Sequence, residues 1–217
     1  KGILLHTDAA QAVGKININV KKMNIDLLSI SSHKFYGPKG IGAIYIRKKP
    51  RIRLNSLIDG GGQESGIRSG TLPVPLCIGL GEAARIAKIN LKKEYHKTKD
   101  LRDLFFKKIK YAFPDLIVNG SISSRLPANL NVSIKGVESE LLISKLKHTV
   151  ISSGSACSSK DIELSPVLSG MGLEDKIIKS ALRIGIGRFN TKKDIVLAAE
   201  EIIKVAKLIK TNANNQF

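Results

Sequence analysis

Three short apolar runs, each closed by a turn or a charged residue, constrain the fold of this chain more than any other feature. The stretch "GILLHTDAAQ" reads as a buried strand ending near His6. "DLLSISSHK" reads as a second strand from Leu27 to Ile30, and "IGAIYIRK" as a third from Ile41 to Arg47. Between the last two lies "GPKG", Gly37 to Gly40, a turn that suits a hairpin. A Gly-rich loop, "DGGGQESGIRSGT", follows from Asp59 to Thr71. Pro73 is then predicted to open a helix through about Ala87, and a second, very basic helix is predicted from roughly Glu94 to Tyr111, ended by Pro114.

Beyond Pro114 the pattern changes. "LIVNG", "ANLNVSI", "TVISSG" and "ALRIGIGR" predict strands, while "SELLISKLKH" and "DIVLAAEEIIKVAKLIK" predict amphipathic helices. The chain therefore divides into the edge of an α/β sheet and a smaller α+β domain, with the boundary in the helical stretch between Ala87 and Tyr111.

Composition narrows the function classes. The 217 residues, 42% of them hydrophobic, suffice for one or two buried cores, and no apolar run is long enough to span a bilayer. The net charge of +18 raises the question of a nucleic-acid partner. Its lysines, however, are scattered over every segment, without an aromatic-interleaved patch or a zinc, helix-turn-helix or RNP signature, so direct nucleic-acid binding is not expected. Two cysteines, Cys77 and Cys157, make no disulfide framework, and a reducing cytoplasm is the expected setting. Cys77 lies in an apolar helical pattern and is expected to be a small core residue. The first residue, Lys1, is followed at once by the apolar Ile3-Leu4-Leu5, so the chain reads as a fragment that begins inside a structural element.

Two charged residues stand where ligands bind in parallel α/β sheets: Asp8 and Lys34 each follow a short apolar strand. Singly, each is equally well read as a solvated loop residue or a helix cap. As a pair they have chemistry in common. A lysine amine can condense with an aldehyde cofactor, and a carboxylate can keep the cofactor's pyridine nitrogen protonated, which is the pyridoxal phosphate arrangement. Cys157 sits in "SSGSACSS" among small and hydroxylated residues; by itself it is either an incidental thiol or an accessible nucleophile.

Five blocks, "HTDAAQAVGK", "DLLSISSHKFYGPKGIGAIYIRKKPRI", "GGGQESGIRSGT", "SSGSACSS" and "LRIGIGRF", occur in an order and near-spacing that resembles the pyridoxal-phosphate-dependent cysteine desulfurases of the NifS/IscS type. The resemblance covers essentially the whole chain. It implies the aminotransferase class V, fold type I transferase architecture: residues 1–92 as the C-terminal part of the cofactor-binding large domain, incomplete here, and 93–217 as the small α+β domain carrying the cysteine loop. It further implies that Lys34 binds pyridoxal 5'-phosphate, Asp8 faces the pyridinium nitrogen, Gln11 the phenolic oxygen, and Ser31 and His33 the phosphate. Thr71 would reach the phosphate of a neighbouring subunit, implying a homodimer. Arg183 would clamp the substrate carboxylate, a task suited to its planar, permanently charged fork.

The implied reaction removes sulfur from L-cysteine, leaving L-alanine and a Cys157 persulfide for a sulfur acceptor protein, either an iron-sulfur scaffold or a tRNA-thiolation relay. No metal is implied. The family's ring-stacking histidine, an asparagine and a further threonine precede the equivalent of Asp8 and lie outside this chain. Two alternatives remain: a selenocysteine lyase-like relative, and a non-catalytic partner of a complete desulfurase.

Overall fold

The computed structural model describes residues 2–49, 51–153 and 164–214, the last two of these by backbone alone. Contacts divide the chain into two compact units, Lys1–Glu94 and Tyr95–Phe217.

In the first unit, strands β1 (His6–Asp8), β2 (Leu27–Ser31) and β3 (Gly42–Ile46) form one mixed sheet in that order. β1 runs parallel to β2, with His6 opposite Leu27 and Asp8 opposite Ser29; β2 and β3 are antiparallel, with Ser31 opposite Gly42. The strand expected to end near His6 begins there instead, and its ends are exposed rather than buried. The reason lies in what precedes it: the Leu5 N–H is held by the Asp26 carboxylate at 2.8 Å, so residues 3–5 run outside the ladder with their apolar side chains exposed. Asp26 also pairs with Arg47 at 3.1 Å, pinning the open end of the β2–β3 hairpin. The core of this unit is small: Ala9, Ile25 and Leu28 form one cluster and Phe35, Ala83 and Ala87 another, and Val13 and Ile30 pack against both.

The two helices expected between Pro73 and Tyr111 are one, α1 (Val74–Ala112), of 39 residues and about 58 Å at 1.5 Å per residue. No Gly or Pro interrupts "ARIAKINLKKEY". The one polar residue that could compete for the backbone, Asn90, turns its amide back onto the Ile86 carbonyl at 3.0 Å and leaves the helix intact. Cys77, on this helix, is half-buried rather than a core residue.

The second unit carries β4 (Ile117–Val118), β5 (Asn129–Ser133), β6 (Ser152–Ser153) and β7 (Ala181–Gly185) in the order β4-β5-β7-β6, all pairs antiparallel. Helices α2 (Ser139–Lys145), α3 (Pro166–Gly170), α4 (Asp175–Lys179) and α5 (Lys192–Asn214) complete it. Periodicity explains the core. Leu130, Val132 and Ile134 alternate along β5, Leu182, Ile184 and Ile186 along β7, and each set meets helical stripes at Leu101, Phe105 and Ile109 of α1 and Ile195, Ala199, Ile202, Ala206 and Ile209 of α5.

Glu201 of α5 fastens the turn after α2. Its carboxylate accepts the Thr149 hydroxyl at 2.6 Å and the Lys147 and His148 amides at 2.7 and 3.1 Å. The Thr149 bond, with the two amides, holds its carboxyl below the ordinary value. A depressed carboxyl favours the folded state above the unfolded pKa, and that contribution disappears as pH falls through the folded one. Glu201→Ala is therefore expected to lower the melting temperature at neutral pH, with the difference from the parent chain shrinking as pH falls through and below the ordinary carboxyl range. A gap that stays constant on acidification would contradict this assignment.

Candidate active site

The crossover of the parallel β1–β2 pair and the 3-10 turn after β2 build one cluster. Asp8 ends β1; one carboxylate oxygen accepts the Ala10 amide at 2.9 Å, and the other has no partner among the described residues. Beyond it the chain makes helical turns, with Val13 and Ile16 amides bonding to the Ala9 and Ala12 carbonyls, so Gln11 and Lys15 share a face. The Lys15 ammonium donates to Gln11 Oε1 at 3.0 Å. At the end of β2, the Ser31 hydroxyl and His33 Nδ1 share a hydrogen bond of 3.1 Å. Lys34 follows in the turn Ser32–Phe35, exposed, its amine without a hydrogen-bond or ion-pair partner among the described residues. One strand back, His6 Nε2 bonds Ser29 Oγ at 2.8 Å, across the same parallel register that sets Asp8 opposite Ser29.

Packing fixes the turn that presents His33 and Lys34. Ser32 is fully buried with its hydroxyl unpaired, and Phe35 is buried beside Ala83 and Ala87. Tyr36 closes the turn in the left-handed region at φ 73°, and the Gly37 amide returns to the Ser32 carbonyl at 3.1 Å. A Cβ at Gly37 would stand 2.1 Å from Ser32 Oγ and 3.1 Å from Ala83 Cβ, so position 37 has no room for a side chain while Ser32 keeps its hydroxyl. Gly37→Ala is expected to cost about 2 kcal/mol by overpacking, and Ser32→Ala to gain about 1 kcal/mol by removing an unpaired buried hydroxyl. In the Ser32→Ala background the Gly37→Ala cost is expected to shrink, because the sharpest clash is gone. Denaturant titration of the four forms measures this coupling; strict additivity would rule it out.

Thr71 closes the Gly-rich loop of the same unit and is exposed. The loop is ordered by its own side chains: Gln63 Oε1 accepts the Gly70 amide at 2.9 Å and Arg68 donates to the Gly70 carbonyl at 3.2 Å. Glu64 and Ser65 both take left-handed φ, at 51° and 58°. Arg183 lies in the second unit, exposed on β7 between Asn131 of β5 and Ser152 of β6. Cys157 lies outside the described residues. The structure thus sets Asp8 and Ser31 at the ends of adjacent parallel strands, pairs Ser31 with His33 and places Lys15 between Gln11 and Lys34, and no hydrogen bond or ion pair among the described residues ties Thr71 to them. A groove of about 1150 Å³ in the second unit, bordered by the 146–151 turn, β7 and α5, contains none of the candidate residues.

Sequence reasoning passed over Lys15. It is half-buried, and burial first, then the Lys34 ammonium nearby, push its pKa below the ordinary lysine value. No spacing rule marks it, because Gly14 leaves the helical region at φ 75° between Gln11 and Lys15.

Residues 1–197 match the family described as Aminotransferase class-V. The chain belongs to this family. Among curated relatives, cysteine desulfurase IscS of Ehrlichia chaffeensis is 51% identical over 210 residues, covering 96% of this chain and 51% of that protein. The IscS of Rickettsia bellii is 48% identical over 209 residues, 96% of this chain and 51% of the relative. The chain therefore spans about half the length of the curated relatives it matches. Among solved structures, a NifS-like protein superposes with a TM-score of 0.83 at 31% identity, over 94% of this chain and 53% of that one. A structure described as "SspA in complex with cysteine" superposes with a TM-score of 0.68 at 36% identity, over 87% and 52%. The class-V family and these neighbours make the two mixed α/β units parts of a fold type I transferase.

Proposed function

We propose that this chain is the catalytic-lysine and sulfur-carrying portion of a pyridoxal-phosphate-dependent cysteine desulfurase. The observation that carries the reading is the convergence of Asp8, Gln11, Ser31, His33 and Lys34 at the carboxyl ends of two adjacent parallel strands, in a family whose curated relatives are desulfurases. The donor set fits the cofactor. An unpartnered amine, a carboxylate with one unpaired oxygen, a hydroxyl–imidazole pair and a second ammonium at Lys15 together suit an anionic aldehyde with a basic ring nitrogen.

Lys34 would hold the cofactor through its amine, Asp8 would keep the ring nitrogen protonated, Gln11 would donate to its phenolic oxygen, and Ser31 and His33 would bind its phosphate. Bound there, pyridoxal phosphate supplies an electron sink for the substrate α-carbon. The residues of the chain do the rest. Arg183 would bind the carboxylate of L-cysteine in a bidentate fork, and the Lys34 amine would take the proton from the α-carbon. The Cys157 thiolate would attack the substrate sulfur: an S–S bond forms, the substrate C–S bond breaks, and its carbon skeleton leaves as L-alanine. The persulfide on Cys157 then passes to an acceptor protein. A neighbour described as bound to cysteine supports the choice of substrate. A reducing cytoplasm suits a thiol that must stay free, and Thr71, exposed on its ordered loop, would reach the phosphate of a second copy in a homodimer.

The test is L-alanine formed from L-cysteine, measured on the chain completed with the remaining half of a relative. Alanine released in step with sulfur taken up by an added thiol is the expected result; no alanine above the background of the relative's half alone would overturn the reading.

A further inference from the structure

Gly14 explains why a lysine comes to stand beside Lys34. It adopts φ 75°, and a Cβ there would lie 2.9 Å from Phe35 Cβ and 3.2 Å from Ala87 Cβ. The turns after β1 therefore press backbone onto Phe35, the last residue of the turn that carries Lys34. The next residue along the chain is Lys15, which is half-buried and within electrostatic reach of Lys34. Among the described residues no carboxylate pairs with it, and the one hydrogen bond of its ammonium goes to Gln11 Oε1. An ammonium can only donate. Gln11 must then turn its carbonyl oxygen to Lys15, which leaves its NH2 end as a donor at the strand ends.

We propose that Lys15 is a positioning residue: through its bond to Gln11 Oε1 it fixes the Gln11 amide as a donor toward an anionic ligand oxygen. The inference rests on the cofactor reading above and extends it, because it assigns the orientation of Gln11 to a second side chain. Without Lys15 the amide is free to flip, and half of its orientations would present an oxygen to an oxygen.

A double-mutant cycle on pyridoxal phosphate binding, followed by visible absorbance during titration, tests it. Lys15→Met is expected to weaken binding about tenfold, Gln11→Ala by a similar factor, and the double variant no more than Gln11→Ala alone, since Lys15 acts through Gln11. Lys15→Arg keeps a donor of the same charge and is expected to stay within about threefold of the parent. Parent-like binding by Lys15→Met, or a double variant showing the full product of the two single losses, overturns the proposal. A parent chain completed with the remaining half of a relative that shows no Lys34-dependent band overturns the cofactor reading, and this inference with it.

Discussion

Lys34→Ala is expected to remove the visible absorbance that pyridoxal phosphate acquires on this chain and to lower alanine formation from L-cysteine by at least about a thousandfold, the scale on which a positioned proton-transfer group acts. The geometry separates this loss from unfolding. Lys34 is exposed and its amine has no partner among the described residues, while Ser32 and Phe35 on either side of it hold the turn in place. The substitution removes no buried contact, so stability is expected to stay within about 0.5 kcal/mol of the parent. Unchanged absorbance and turnover in this variant would mean that another amine holds the cofactor, and Lys15, the lysine beside it, would be the first to examine.

Cys157→Ala is expected to separate two parts of the chemistry. Cofactor attachment and its absorbance should persist, because the Asp8–Lys34 cluster lies in the first unit and is built without residue 157. Sulfur transfer from L-cysteine should fall to background, because no thiolate remains to take the sulfur. Turnover of selenocysteine to alanine provides the contrast. If the variant loses cysteine turnover and keeps selenocysteine turnover, the thiol serves cysteine chemistry as proposed. If cysteine turnover survives intact, the persulfide role is wrong and the lyase-like alternative is preferred.

Much of this was readable in the sequence where a rule is local. Strand runs of branched residues fixed β2 and β3 to within a residue, and the alternating stretches after Pro114 gave β5 and β7. The two helices expected from Pro73 to Ala87 and from Glu94 to Tyr111 run on as one, because Asn90 between them satisfies its amide within the helix. The short helices α3 and α4 escaped because one turn and a half of chain carries too little periodicity to be heard above its neighbours. In the site, Asp8 and Lys34 were legible because each stands at or just past the end of its strand. Lys15 was not, since its place depends on Gly14 meeting Phe35, a contact between residues 21 positions apart that no spacing rule encodes.

β1 borders its sheet on one side only. Among the described residues its three-residue ladder faces β2 alone, and Ile3, Leu4 and Leu5 run up to it uncovered. Such a border recruits other backbone. A strand laid along His6–Asp8 would therefore find backbone groups there that no described strand pairs. The residue that ends that border is Asp8, so a strand laid there would also stand beside the candidate cluster.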